Sequence, residues 1–300
     1  MNAISPLQVY RWLVARELWE HRGRLIFAPL ILGAIVVLGT LVGVVKAPAG
    51  AFALSNVNNI STERLPIFLS FAFAIPFLIV VAAVTGYYAL DALYADRQDR
   101  SILFWKSLPI SDFDTVLAKL TVATVVAPFI GLAAAFATQL VVFAIFGFGV
   151  AAHGGDFSSV WRAISLTDSM RMIVYTTLVL SLWYAPVWAW CLLASSWARR
   201  APFLWATIPI AAIWLLETRL FGTHHVGAFL GVRFSGILPS VTIAGYNAQE
   251  NPFASPLRAS PRELISISDF FGNENLWIGL LIAAALVAAT VWVRRYRESS

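Results

Sequence analysis

Long apolar runs alternate with short polar connectors along the whole chain. A bilayer core takes about 20 apolar residues as a helix, and six uncharged runs come close to or exceed that length: Phe27–Val45, Pro66–Leu90, Leu120–Phe148, Met172–Leu193, Ala201–Leu216 and Leu276–Val293. They predict six transmembrane helices. The fifth is the shortest, and Pro209 at its middle predicts a broken or tilted helix there. Trp277 and Trp292 bracket the sixth, about 22 Å apart at 1.5 Å per residue, a spacing suited to anchors at the two membrane interfaces. Ahead of the first run, Leu7, Tyr10, Val14 and Leu18 recur at helical intervals with Arg16 and Glu20 opposite, which predicts an amphipathic helix over 1–26 lying along the membrane surface.

Composition agrees with the pattern. The 300 residues are 59% hydrophobic and 12% charged, with mean hydropathy +0.76, too apolar for a soluble domain. The polar stretches are too short to hold a core of their own, so 1–300 is read as one membrane domain. The single cysteine, Cys191, lies inside an apolar run and excludes an intramolecular disulfide.

Charge changes the picture once it is partitioned by loop. Arginines and glutamates through the first 26 residues argue against a cleaved leader, placing the N-terminus in the cytoplasm. Segments 1–26, 91–119, 194–200 and 294–300 then hold 13 of the 21 basic residues in 69 positions, against 8 in 102 positions for 46–65, 149–171 and 217–275. By the positive-inside rule both termini are cytoplasmic. The net charge of +5 faces anionic lipid and soluble partners, and needs no nucleic acid.

The richest connector is 91–119. It carries Asp96, Arg97, Asp99 and Arg100, an apolar stretch with Phe104, Trp105 and Lys106, then Pro109 and a new helix that Ser111 can cap, with Asp112 and Asp114 in its first turn. Such a short aromatic helix suits a groove on a soluble partner or, equally, the lipid headgroup layer. The order Asp99-Arg100-Ser101, Ile102-Leu103-Phe104, Ser107-Leu108-Pro109-Ile110-Ser111 and Lys119 resembles the cytoplasmic loop of type-2 ABC export permeases. It departs at Arg100-Ser101, where that family often has Gly-Thr, and at the bulkier Trp105. The resemblance implies a coupling helix received by an ABC ATPase subunit, a second copy of the chain completing the transport unit, and a bacterial cytoplasmic (inner) membrane location.

No Gly-x-x-x-x-Gly-Lys-Ser/Thr phosphate loop occurs, so ATP and Mg would be held on a partner chain, and this chain is expected to carry no cofactor and to catalyse nothing itself. Paired ionisable residues inside the runs, which an intramembrane enzyme or proton-coupled carrier needs, are absent. The histidines lie outside the runs, and His224-His225 reads as a solvated loop rather than a metal site.

Gln139, Trp183, Tyr184, Trp188 and Trp214 are candidate lining of a path for an amphipathic or hydrophobic cargo, with lipid-facing aromatics as the plainer alternative. Gly39 and Gly43 are a candidate close-packing pair, within the chain or between copies. The outer segment 217–275 contains two apolar stretches too short to span, which read as a re-entrant hairpin and resemble the outer helices of the same permeases. The competing functional class is a non-transporting scaffold or sensor that docks a cytoplasmic partner through the same loop.

Overall fold

A computed structural model describes residues 5–48, 65–98, 110–154, 156–162, 166–235 and 267–297. Every regular element among them is helical. Five helical stretches are long and apolar enough to cross a membrane, and a sixth results if one bent pair counts as a single span. The protein is therefore an all-α, multi-pass membrane protein, as the hydrophobic runs predict.

Helix α1 (Pro6–Glu20) begins with a capping box. The Ser5 hydroxyl accepts from the Gln8 amide, the Gln8 side chain accepts from the Ser5 amide, and Pro6 fills the first turn where no N–H is needed. A short turn, α2 (Arg22–Leu25), leads into α3 (Phe27–Lys46), the first spanning stretch. Three of the four stripe residues face inward: Tyr10, Val14 and Leu18 are half-buried, Val14 and Leu18 against the core, with Leu13 and Glu17 fully buried among them, whereas Leu7, Trp12 and Trp19 are exposed. A carboxylate at the centre of the buried face is what the hydrophobic pattern could not show.

The second run continues past Leu90 as α4 (Leu65–Gln98). Helix α5 (Asp112–Thr121) starts at Ser111, whose hydroxyl accepts from the Asp114 amide at 3.0 Å, with Asp112 and Asp114 at the positive end of the dipole. It passes through a wide π turn, Val122–Val126, into α6 (Ala127–Ala152). A short α7 (Phe157–Arg162) precedes α8 (Leu166–Trp183) and α9 (Ala185–Trp197), which meet at 49°.

The break expected at Pro209 falls in the fourth run instead. Tyr184 adopts φ −90°, ψ 0°, and Pro186 occupies the first turn of α9. Pro209 is accommodated inside an uninterrupted α10 (Pro202–Leu216). A proline bends a helix by removing one hydrogen bond and crowding a carbonyl. At 186 the freed chain is taken up by a new helix start, whereas α10 has almost no packed face to be disturbed.

A second π turn, Glu217–Phe221, leads to α11 (His225–Ser235), followed by α12 (Ile267–Gly272) and α13 (Glu274–Arg297). Residues 236–266, including half of the expected re-entrant hairpin, lie outside the described residues.

Helix α9 packs against α4 and α13, and α6 packs against α3 and α4. With lipid as solvent, close van der Waals approach holds such a bundle together. A methyl group on Gly131 would collide with Val81, one on Gly33 with the Thr138 hydroxyl and one on Gly147 with the Phe157 ring. Gly39 and Gly43 differ, because their faces look into open space. Among the described residues nothing packs against the faces of these two glycines.

Candidate functional site

The helices bring scattered charges together at one end of the bundle. Glu17 on α1 and Lys119 on α5 are 2% and 1% exposed, and the Lys119 ammonium lies 2.9 and 3.0 Å from the two Glu17 carboxylate oxygens. It also donates to the Ala92 carbonyl at 2.9 Å, which with the two Glu17 oxygens accounts for its three N–H bonds, and it forms an ion pair with Asp96 at 3.2 Å. The rest of the Glu17 carboxylate is taken by Arg16 at 2.6 Å and by the Tyr88 hydroxyl, which donates at 3.0 Å. Tyr10 secures α1 further, its hydroxyl 2.6 Å from that of Thr121.

Arg294, near the end of α13, extends this network. Its Nε donates to Asp112 at 2.8 Å, and its Nη1 lies 3.7 Å from Asp96. Asp96 closes the last turns of α4 and Asp112 opens α5, so one buried guanidinium sits between the two stems of the connector spanning 99–109. The neighbouring Arg97 donates to the carbonyls of Ser195 and Ala198 at 2.6 and 2.7 Å, tying the same stem to the tight turn between α9 and α10. That turn contains Ala201 at φ 48°, a left-handed conformation in which Cβ crowds the backbone.

Electrostatics favour the charged form of Glu17. Burial by itself raises the Glu17 carboxyl, but the charges of Lys119 and Arg16, with the hydrogen bond from Lys119, outweigh it and hold the group below its ordinary value. His21 stands edge-on to Tyr88, ring centroids 4.9 Å apart. Burial lowers its pKa, against the opposing pull of Glu17, so the neutral imidazole is favoured.

The other end of the bundle buries a cation in a different setting. Arg233 on α11 is 1% exposed and has no carboxylate partner among the described residues. Its Nη1 donates to the Trp183 carbonyl at 3.0 Å, its Nη2 donates to the Asn275 carbonyl, and the guanidinium lies 4.6 Å from the Trp183 ring centroid and 5.2 Å from that of Phe229. The Trp183 indole in turn donates to the Arg233 carbonyl at 3.2 Å. One side chain thus spans the helix break after Trp183 and the start of α13. Gly279 makes room for it, since any Cβ there would overlap the guanidinium. Burial lowers the Arg233 pKa, although a guanidinium remains charged at any ordinary pH.

Of the residues expected to meet a soluble partner, Asp96 and Arg97 turn inward and are engaged with other helices of the same chain. Both lie at the stem of the connector, where α9 packs against α4 and Arg294 of α13 reaches Asp96. Asp99, Arg100, Phe104, Trp105, Lys106 and Pro109 lie outside the described residues. Of the five candidate path residues, Gln139 and Trp183 are buried, Tyr184 and Trp188 are half-buried, and Trp214 is exposed beside Gly227. Lys119 is the one network member that the motif singled out; Glu17, Arg294 and Arg233 were seen only as charges in loops. The described residues contain no cluster of three His, Cys, Asp or Glu side chains placed to hold a metal. Comparison with protein-family models, curated proteins and solved structures finds no match to this chain.

Proposed function

We propose that this chain is the membrane-spanning permease subunit of an ATP-driven ABC exporter of the bacterial cytoplasmic membrane, moving an amphipathic or hydrophobic cargo outward. In this reading the connector 99–109 is pressed by a separate ATPase subunit that binds ATP and Mg. The observation that carries it is Arg294 lodged between Asp96 and Asp112, with Lys119 linking Asp96 to Glu17. A connector whose two stems share one buried ion network cannot move alone; force applied to it reaches α1, α4, α5 and α13 together. A loop that merely joins two spans has no need of such anchoring.

A second copy completes the unit. The spans containing α3 and α10 have 17% and 6% of their most apolar stretch buried within the chain, against 33–44% for the other three unbroken spans. Gly39 and Gly43 lie on the uncovered side of α3, where they offer a close approach to another helix.

The test is to purify the tagged chain from its native membrane and measure ATP hydrolysis in vesicles. Activity should reside in a second polypeptide carrying a phosphate loop. Truncating a buried aromatic anchor typically costs on the order of 2 kcal/mol or more at an interface, so Phe104→Ala should reduce retention of that polypeptide and its stimulated hydrolysis while the permease still inserts. Retained docking without cargo export in the unaltered complex would favour the scaffold class, and unchanged export by Phe104→Ala with Arg100→Glu would sink the coupling assignment.

A further inference from the structure

Two adjacent arginines near the end of α13 have opposite surroundings. Arg294 is buried between Asp96 and Asp112. Arg295 is exposed and has no carboxylate partner among the described residues; its guanidinium carbon lies 5.8 Å from the Tyr296 ring centroid. It stands at one end of a groove of about 640 Å³ between α5 and α13, a volume within the roughly 300–1,000 Å³ range of pockets that hold small molecules.

The sequence explains the groove. Phe113, Leu117 and Leu120 follow one face of α5 at helical spacing and form one wall. On α13 the facing positions are Ala284 and Ala288, one turn apart, whose methyl groups leave the space between the helices unfilled. From Leu280 to Tyr296 the lining runs about 24 Å at 1.5 Å per residue. One leaflet of a bilayer supplies about half of a 30 Å hydrocarbon core, so the groove is long enough for an acyl chain. Trp292 and Tyr296, both more than half exposed, flank Arg295 at the charged end, the arrangement expected where hydrocarbon gives way to headgroups.

Because α13 is part of a membrane-crossing stretch, an open groove on its side meets lipid. The charge at its mouth selects among lipids. Glu17, Asp96 and Asp112 are already engaged with cations of the chain, so these acids are unavailable to Arg295 from this chain or from a second copy. We propose that the groove binds one anionic phospholipid, its acyl chain lying along Ala284 and Ala288 and its phosphate on Arg295. The proposal rests on the membrane placement of α13 and is independent of the transport reading.

The test compares dioleoyl-phosphatidylglycerol with dioleoyl-phosphatidylcholine added to the detergent-purified full chain, with retained lipid counted by native mass spectrometry. Wild type should retain one phosphatidylglycerol in preference to phosphatidylcholine. Arg295→Gln should weaken phosphatidylglycerol retention about fivefold, the factor that one basic side chain near an anionic surface supplies, and leave phosphatidylcholine unchanged; Arg295→Lys should restore the preference. Ala284→Leu with Ala288→Leu, which fills the groove from its lipid-facing side, should reduce both lipids. Equal retention of the two lipids by wild type and Arg295→Gln overturns the proposal. So does full competition by soluble glycerol phosphate, which would mark a free-anion site. A filled-groove variant that changes oligomeric state while keeping its lipid assigns the groove to a second copy and also overturns it.

Discussion

The two ends of this bundle bury cations by different means. At one, Lys119 and Arg294 face carboxylates contributed by α1, α4 and α5, so that positive and negative groups enter the interior together. At the other, Arg233 is as deeply buried but faces two backbone carbonyls and two aromatic rings. The difference lies in what remains when one member is taken away. A paired network leaves an orphaned charge in low dielectric, which is costly. A guanidinium held by carbonyls leaves only neutral groups, each missing a hydrogen bond. The first end therefore behaves as a unit that must be assembled whole, and the second as a latch that can be lost without stranding a charge.

The largest expected effect follows from breaking the paired end. Lys119→Met leaves Glu17 buried beside an apolar chain and should destabilise the fold by about 3–5 kcal/mol. Adding Glu17→Gln should recover much of that loss, because the orphaned charge goes with it. Chemical denaturation in detergent measures both, and independent, additive losses would show that the two residues are not a unit.

Acid should loosen the same end. Glu17 has its folded-state pKa below the ordinary carboxylate value, so its contribution is complete above about pH 4.3 and is lost as pH falls through the folded value. His21 is also lowered, by burial first, so its contribution is complete above about pH 6.5 and declines as pH falls below that. Both signs agree: acidification weakens the seating of α1. Hydrogen-exchange protection across Pro6–Glu20, corrected for the intrinsic rate, should fall from pH 7.5 to pH 5 as His21 gains its proton and fall further below about pH 4.3 as Glu17 does, while α11 around Arg233 keeps its protection. Equal responses at the two ends would erase the contrast.

Removing the latch should cost less. Arg233→Leu gives up two hydrogen bonds to carbonyls and should destabilise by about 1–3 kcal/mol. Its specific signature is relief at Gly279: Gly279→Ala, which collides with the guanidinium in the native chain, should be far better tolerated once Arg233 is gone. The smallest effect is a gain. Ala201→Gly removes the left-handed strain at the turn that Arg97 ties down, and the entropy of glycine offsets part of the benefit, for a net stabilisation of about 0.5–1 kcal/mol. A loss there would mean that the Ala201 methyl makes contacts worth more than the strain.

The spans were legible because lipid imposes a length and a polarity on any helix that crosses it, and those survive in a one-dimensional pattern. Ser111 was equally legible, since capping is settled within four residues. What the pattern hides is long-range pairing. Glu17 and Lys119 are 102 positions apart, and each alone reads as a surface charge next to a membrane. The helix break shows the same limit. Pro186 and Pro209 carry the same local chemistry, yet only the first follows a break between two helices, and the Trp183 carbonyl at that break is met by Arg233, 50 positions away. On α1 the apolar stripe gives the inward side, with Val14 and Leu18 against the core, but not the carboxylate of Glu17 at its centre.

The π turn at Val122–Val126 bears on how the third span could have been altered over time. An α-helix advances about 100° per residue, so a wide turn that absorbs one extra residue resets the rotational phase between the two segments it joins. Below it, α5 presents Lys119 to Glu17 and Leu117 to the groove; above it, α6 presents Gly131 to Val81 and Thr138 to Gly33. Deleting a single residue from this stretch would favour a regular helix and swing one set of contacts away from its partners while leaving the hydrophobic profile unchanged. Two chains with indistinguishable hydropathy plots would then differ in whether their third span fits its neighbours at both ends.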